Sequence, residues 1–433
     1  MASERERVVV LPAKWSFVFL LLVRVLASGE PAPASLAAID QQSAGDADKL
    51  KNIEARAASL RSQGDAQGAL AAYEEAAALD PQSAIYQDEI GFLLAVLNHR
   101  DEAVAHFKRA VELDPKLAVA HYHLGAAYWL AQDSSAALAE LQSAVTIDPI
   151  NAAYQSKLGQ ALTAAGQYGD AIGHLKVATT AEPRDRAAWN NLGLALGKTG
   201  DRLAAVDAYQ HVVDLDPNSV EARNALGLAL VNTRQADEGI AQFQQALVLD
   251  PSNNTALFNV GFAHLQKNRL DLAIAAFREV IARDPGIAAV HYNLGVALKD
   301  KDDVDGAKAE FARALAIDPK LAEAHYMTGI ACWQSGEFDQ AATEMQAAIR
   351  EQPEYAAAYF MLGTVLKQKG QLGPAEEALR TAIRLSPDDP GPYNTLAQIL
   401  RQKGQLDESK KLFDEGLRIK QKKESELGTM LTR

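Results

Sequence analysis

The sequence predicts an all-α solenoid of about eleven copies of a 34-residue helix–turn–helix repeat. Elements of an ordinary globular fold vary in length, so a constant interval between like residues indicates one supersecondary unit repeated end to end. With a recurring proline set as position 32, ten repeats run from 50–83 to 356–389, and an eleventh, 390–423, has Gln421 in its place. The prolines that define this interval of 34 residues are Pro81, Pro115, Pro149, Pro183, Pro217, Pro251, Pro285, Pro319, Pro353 and Pro387.

The spacing of apolar residues predicts two amphipathic helices in each repeat. Apolar residues recur at positions 4, 7, 8 and 11, and again at positions 20, 24, 27 and 28. This i, i+3, i+4, i+7 spacing is typical of one helix face. Glycine or a polar residue near position 15 separates the helices, and the proline ends the second helix because it cannot continue one.

Small residues at fixed positions predict that the two helices approach closely. Position 8 is glycine in every repeat from 84–117 to 356–389, position 20 is mostly alanine, and position 24 is large and apolar. Glycine at 8 opposite alanine at 20 is expected to let the pair close, because small side chains admit the facing backbone. A small residue at 27 is expected to admit the first helix of the next repeat.

This pattern resembles the tetratricopeptide repeat (TPR), over about residues 50–423. The resemblance extends to bacterial multi-TPR proteins, and it implies stacked helix pairs wound into a right-handed superhelix whose first helices line the concave face. Residues 186–219 show the pattern well, although Val212 stands where the family has alanine; the matching residues are Trp189, Leu192, Gly193, Ala205, Tyr209 and Pro217.

The two ends of the chain depart from the repeat. Residues 1–29 combine basic residues, a short apolar run and the small residues Ala27 and Gly29, which predicts a signal peptide and export to a periplasm or the outside. The alternative is an uncleaved hydrophobic segment, with membrane contact only through residues 15–27, in a cytoplasmic or membrane-associated protein. We expect a flexible linker at 30–49, a degenerate eleventh repeat with a capping helix at 390–427, and a tail at 428–433.

Composition and motifs predict neither catalysis nor a nucleic-acid partner. The net charge of −13 disfavours phosphate binding. The segment Gly193–Thr199 resembles a phosphate loop, but it has three rather than four residues between its glycines. His121, His291 and His325 occupy position 4, where the family places a packing residue, and Cys332 occupies core position 11. We therefore expect a non-enzymatic protein with no catalytic residue, no small-molecule cofactor and no metal.

Binding residues are expected on the concave face that the family uses for ligands, lined by positions 2, 5, 6, 9, 12 and 13 (the groove positions). Asparagines there can pair with the backbone of an extended peptide, because a carboxamide both donates and accepts; the series resembles the asparagine ladder in the TPR arm of O-linked N-acetylglucosamine transferases. The alternatives are that the asparagines cap or bridge helices and that the aromatic rings pack between first helices. The candidates are Tyr122, His123, Trp129, Asn190, Asn191, Asn224, Phe258, Asn259, Tyr292, Asn293, Tyr326 and Trp333.

These features together predict a protein–protein interaction scaffold that holds a peptide or protein segment in its groove. One alternative is an adaptor or substrate-recognition arm for an enzyme on a separate chain, such as a glycosyltransferase. Another is a structural component of an envelope or secretion assembly.

Overall fold

The computed structural model describes residues 44–431, with side chains from 48 to 426, and every regular element in that range is an α-helix. The described residues form two compact bodies, the N-terminal body (44–234) and the C-terminal body (235–431). No helix among them is both long enough and apolar enough to cross a membrane. The predicted signal segment 1–29, most of the linker 30–49 and the end of the tail lie outside the described residues.

In the N-terminal body, a first and a second helix alternate along the chain. The helices are α1 (Ala44–Ser62), α2 (Ala66–Leu79), α3 (Ala84–Val96), α4 (Arg100–Leu113), α5 (Ala118–Leu130), α6 (Ser134–Ile147), α7 (Ala152–Ala164), α8 (Tyr168–Ala181), α9 (Arg186–Thr199), α10 (Arg202–Leu215) and α11 (Val220–Asn232).

The C-terminal body continues the same alternation. Its helices are α12 (Ala236–Leu249), α13 (Asn254–Gln266), α14 (Leu270–Arg283), α15 (Ala288–Asp300), α16 (Val304–Ile317), α17 (Ala322–Gln334), α18 (Phe338–Glu351), α19 (Ala356–Gln368), α20 (Leu372–Leu385), α21 (Pro390–Gln402) and α22 (Leu406–Leu431).

The prediction of an all-α repeat of helix pairs is confirmed. Two predicted boundaries differ from the structure. Helix α1 begins at Ala44, inside the segment predicted as a linker. Helix α22 runs to Leu431, past the predicted end of the cap at 427, because Gln421 does not stop it as proline does elsewhere.

The turn between the two helices of a repeat uses a left-handed residue at position 15. Glycine adopts this conformation at Gly64, Gly166, Gly200, Gly336, Gly370 and Gly404. Side-chain-bearing residues adopt it at Asn98, Gln132, Arg234, Asn268 and Asp302, with φ between 56° and 68°. A residue with a Cβ pays a steric penalty there, so the turn is imposed by the packing of the helices on either side.

The glycine at position 8 faces the large residue at position 24, which corrects the expectation that alanine at 20 is its main neighbour. A Cβ atom on Gly159 would lie 2.5 Å from Leu175 Cγ, and one on Gly295 would lie 2.5 Å from Phe311 Cε1. Position 20 contributes its backbone, since a Cβ atom on Gly91 would lie 3.1 Å from the Ala103 carbonyl oxygen. The helix pair therefore closes around one large side chain laid across a glycine.

In several repeats position 4 does more than the predicted packing, because its side chain reaches the carbonyl oxygen of the repeat proline six residues earlier. The bond satisfies the carbonyl of the proline in the turn that follows a second helix, and it ties this turn to the next first helix. Its members are Pro115 with His121 Nε2 (3.1 Å), Pro149 with Gln155 Nε2 (2.6 Å), Pro183 with Trp189 Nε1 (3.0 Å), Pro217 with Arg223 Nε (2.9 Å), Pro285 with His291 Nε2 (3.1 Å), Pro319 with His325 Nε2 (3.2 Å) and Pro387 with the Tyr393 hydroxyl (3.0 Å).

Each of the three histidines at position 4 uses its other ring nitrogen, Nδ1, to contact a glutamate. His121 Nδ1 lies 2.6 Å from Glu140, and His291 Nδ1 lies 2.7 Å from Glu310. His325 Nδ1 lies 2.7 Å from Glu344. Both nitrogens of each ring are thus engaged by the repeat itself, which accounts for these histidines without a metal.

We predict opposite effects for two Gly→Ala substitutions in one repeat. Gly159→Ala should destabilise the protein by about 1–3 kcal/mol, because the added methyl group overpacks against Leu175. Gly173→Ala, on the open side of α8, should stabilise it by about 0.5–1 kcal/mol through the better helix propensity of alanine. Chemical denaturation measures both, and a stabilising Gly159→Ala would contradict the close approach.

Candidate functional site

In the N-terminal body, the predicted binding residues lie on alternate helices. Tyr122 and Trp129 are on α5, Asn190 and Asn191 are on α9, and Asn224 is on α11. Helix α7 follows α5 among the first helices and packs directly against α9. The register of the repeat therefore places the candidates of this body at groove positions of neighbouring first helices.

The asparagines of the N-terminal body keep unused hydrogen-bonding capacity. Asn190 is exposed and has no hydrogen-bond partner among the described residues. Asn191 Nδ2 donates to the Ala187 carbonyl, 2.9 Å away and four residues earlier in the same helix. Asn224 is buried, and its Oδ1 accepts no hydrogen bond in the described part of the chain. One alternative was that the asparagines bridge two helices, but none of these bonds does so.

The aromatic candidates of this body combine packing with partial exposure. The Tyr122 and Tyr154 ring centroids are 5.0 Å apart, so Tyr122 joins α5 to α7. Burial raises the pKa of Tyr122. Tyr122 and Trp129 are both partly buried against one apolar cluster. The packing alternative thus holds for part of each ring, and the remainder stays accessible.

His123 is not free to bind a partner with its Nδ1, because Asp88 on α3 holds that atom. The two carboxylate oxygens of Asp88, which is 4% exposed, lie 2.9 and 3.1 Å from His123 Nδ1. Beside this pair, Arg61 donates to Glu89 at 2.7 Å. We call Arg61, Asp88, Glu89 and His123 the acid–base cluster. All four residues occupy groove positions, and the cluster joins helices α1, α3 and α5.

The acid–base cluster is also tied to aromatic rings. The Phe92 and Phe107 ring centroids each lie 5.4 Å from that of His123. The Arg61 guanidinium lies 5.0 Å from the centroid of Phe92. Burial disfavours a charged imidazole, but the Asp88 carboxylate outweighs it and raises the pKa of His123. Burial also raises the pKa of Glu89, partly opposed by Arg61.

In the C-terminal body, the asparagine candidates are more enclosed. Asn259 is 2% exposed, and its Nδ2 donates no hydrogen bond among the described residues. Asn293 Nδ2 donates to the Ala289 carbonyl at 2.8 Å, repeating the arrangement of Asn191. One amide proton of Asn293 is therefore occupied by its own helix.

The aromatic candidates of the C-terminal body are half-buried. The Tyr326 and Tyr355 centroids are 5.0 Å apart, and those of Phe258 and Phe277 are 5.6 Å apart. The Tyr292 and Phe311 centroids are separated by 6.1 Å. Trp333 packs partly against the apolar core. These rings support the helix stack and leave an apolar surface at the groove positions.

Residues whose sequence pattern resembles a catalytic, nucleotide or metal site lie within the packed helices. Gly193–Thr199 lies within α9, so its Gly-Lys-Thr sequence does not form a loop. Cys332 is buried, and burial raises its pKa to about 11. Among the described residues, no group of three or more histidine, cysteine, aspartate or glutamate side chains is arranged to hold a metal ion.

Sequence reasoning missed the charged groove residues Arg61, Asp88, Glu89 and Lys157. Their signal was present in the register, since they stand at positions 12, 5, 6 and 6 of their repeats. Lys157, on α7, is half-buried, and no ion pair or hydrogen bond joins it to any described residue.

We predict that the acid–base cluster loses stability as the pH rises. A raised folded pKa means that the protonated His123 stabilises the fold below its unfolded pKa and that this contribution disappears as pH rises through the folded value. The raised pKa of Glu89 acts in the same direction. Melting temperatures at about pH 6 and about pH 8 should therefore differ more in the native chain than in His123→Gln. An equal difference in both proteins would show that this pair does not titrate as described.

Comparison with known proteins identifies the repeat. A family model described as "Tetratricopeptide repeat" matches 156–220, 192–254, 224–286, 263–322, 292–344 and 326–390. A "TPR repeat" model matches 97–132, and a second "Tetratricopeptide repeat" model matches 366–433. Comparison with curated proteins yields no match.

Solved structures of repeat proteins are similar to this chain. A tetratricopeptide repeat protein from Parabacteroides merdae is 15% identical, with a TM-score of 0.51 over 57% of this chain and 97% of its own, and it shares the fold. MamA is 29% identical, with a TM-score of 0.37 over 38% of this chain and 97% of its own. YrrB, described as a TPR protein with an unusual peptide-binding site, is 23% identical, with a TM-score of 0.41 over 43% of this chain and 95% of its own.

Proteins built from this repeat are typically non-catalytic scaffolds that bind other proteins. The matches of one family model run without interruption from 156 to 390, which is more than half of the 433 residues. The repeat positions, the helix pairs and the family matches agree over this range. The chain therefore belongs to the tetratricopeptide repeat family and is a scaffold for protein–protein interaction.

Proposed function

We propose that the chain binds an extended segment of a partner protein along the groove positions of its first helices. The observation that carries this proposal is the pair Asn190 and Asn191 on α9. Asn190 is exposed without a partner, and Asn191 commits only one amide proton to its own helix. Two adjacent carboxamides with free donors and acceptors on a helix face have no structural task that the repeat requires.

Carboxamides suit recognition of a peptide backbone. Each one offers a donor and an acceptor, which match the carbonyl and the N–H of an extended chain whatever its side chains are. The accessible edges of Tyr122 and Trp129 on α5 add apolar contact beside these polar groups. Large aromatics with a polar atom are favoured at protein interfaces because they bury much area and still form a hydrogen bond.

The groove positions of the C-terminal body suit apolar side chains of the partner. Tyr326, Met327 and Trp333 on α17 are half-buried, as are Phe360 and Met361 on α19. Methionine adapts its shape to different contacts, which favours binding to irregular apolar surfaces. The groove positions of this body therefore offer apolar contacts to a partner segment.

We predict that the double variant Asn190→Ala/Asn191→Ala binds a groove peptide about 10-fold more weakly, because two or more hydrogen bonds to the peptide are lost. The probe is a short synthetic peptide, selected from a random phage-displayed library on the full chain. Its dissociation constant is measured by calorimetry, and circular dichroism checks the fold of each variant.

Asn218→Ala is the matched control, because Asn218 is an exposed asparagine in a turn, away from the groove positions. It should bind the peptide as the native chain does. Met327→Glu tests the C-terminal body by placing a charge among apolar groove positions. Peptides that bind the double variant and Met327→Glu as tightly as the control would overturn the groove assignment.

A further inference from the structure

Lys157 is an unpaired cation on the groove side of the N-terminal body. It stands at position 6 of its repeat on α7, between the buried residues Ser156 and Leu158. The side chain is half-buried, and within the described residues its ammonium group meets neither a carboxylate nor a hydrogen-bond acceptor. The other cations deep in this surface have partners: Arg61 pairs with Glu89, and His123 pairs with Asp88.

No carboxylate forms an ion pair with Lys157 among the described residues. The groove positions from 118 to 199 include no aspartate or glutamate, although the whole chain carries a net charge of −13. Asp185, at the start of the adjoining α9, keeps its negative charge, but its oxygens accept the Ser156 hydroxyl at 2.6 Å and the Ala188 amide at 3.0 Å and form no ion pair with Lys157. Lys198, at groove position 13 of the next repeat, is exposed and adds a second positive charge.

Partial burial disfavours the charged form of Lys157. Burial lowers the pKa of Lys157, because the charged amine loses solvation that no partner replaces. A half-buried charge that no neighbouring residue stabilises is typical of a residue retained for binding.

Other polar side chains stand at neighbouring groove positions. Helix α9 packs against α7 and carries Asn190 and Asn191, whose carboxamides are available as described above. Gln160, one turn after Ser156, is also half-buried at a groove position. The arrangement offers a cation without an ion pair beside neutral hydrogen-bond donors, which suits a single carboxylate.

We propose that Lys157 binds the carboxylate of an aspartate or glutamate side chain in the partner segment, and so selects acidic segments. This inference rests on the proposed function, because it requires a segment in the groove. A side chain is favoured over a chain terminus, because groove positions continue on α5 before Lys157 and on α9 after it. A partner segment can therefore run past Lys157 in both directions.

The test uses phage-selected peptides whose affinity falls in Asn190→Ala/Asn191→Ala. Such peptides should share an aspartate or glutamate, and changing it to asparagine or glutamine should weaken binding about 10-fold. Lys157→Gln should weaken binding of the original peptide by a similar factor, while its melting temperature equals or exceeds that of the native chain. Lys176→Gln, an exposed lysine on α8, is the control with the same change of charge and should leave binding unchanged.

Any of the following outcomes would overturn the inference. If these peptides share no acidic residue, or bind Lys157→Gln as tightly as Lys176→Gln, Lys157 is not the subsite and the groove assignment stands. If amidation of the peptide terminus abolishes binding, the carboxylate is terminal and the side-chain assignment is wrong. If no peptide depends on Asn190 and Asn191 or on Met327, the proposed function fails as well. A melting temperature reduced in Lys157→Gln would assign the lysine to stability, and the peptide substitution then decides the binding role alone.

Discussion

The close approach of a glycine at position 8 to a large side chain at position 24 is the contact on which the rest of the structure depends. Because a Cβ atom at Gly159 or Gly295 would lie 2.5 Å from its neighbour, the two helices of a repeat can approach this closely only with glycine at position 8. That separation fixes which face of the first helix is buried. Residues on the opposite face are not required for this contact, and they include charged groups, carboxamides and half-buried rings.

Two local devices keep successive repeats in register. The left-handed residue at position 15 turns the chain between the helices, even where it must be Gln132 or Asp302 rather than glycine. The hydrogen bond from position 4 to the repeat proline ties the end of one repeat to the start of the next, and it accepts His121, Gln155 or Trp189 as donor. Because both devices depend on position rather than on one residue type, the 34-residue interval survives wide sequence variation.

Sequence alone predicted those features that depend on local conformation and on repeated packing. The proline interval, the glycine at position 8 and the turn near position 15 recur in each repeat, so the helix pairs followed directly. Pairings between repeats were not predictable, because Asp88 and His123 are 35 residues apart and meet only when α3 and α5 stack. The absence of an ion pair at Lys157 was equally unpredictable from the sequence, because Asp185 instead accepts hydrogen bonds from Ser156 and Ala188.

The central claim is that the face of the first helices left free by the glycine contact is the binding face. The most direct measurement is photo-crosslinking of a bound peptide that carries a photoreactive phenylalanine, followed by mass spectrometric mapping of the attachment sites. The account predicts attachment within α5, α7 and α9, at groove positions such as 129, 160 and 190. Attachment confined to the second helices α6, α8 and α10 would contradict it, because their outer faces would then form the binding surface.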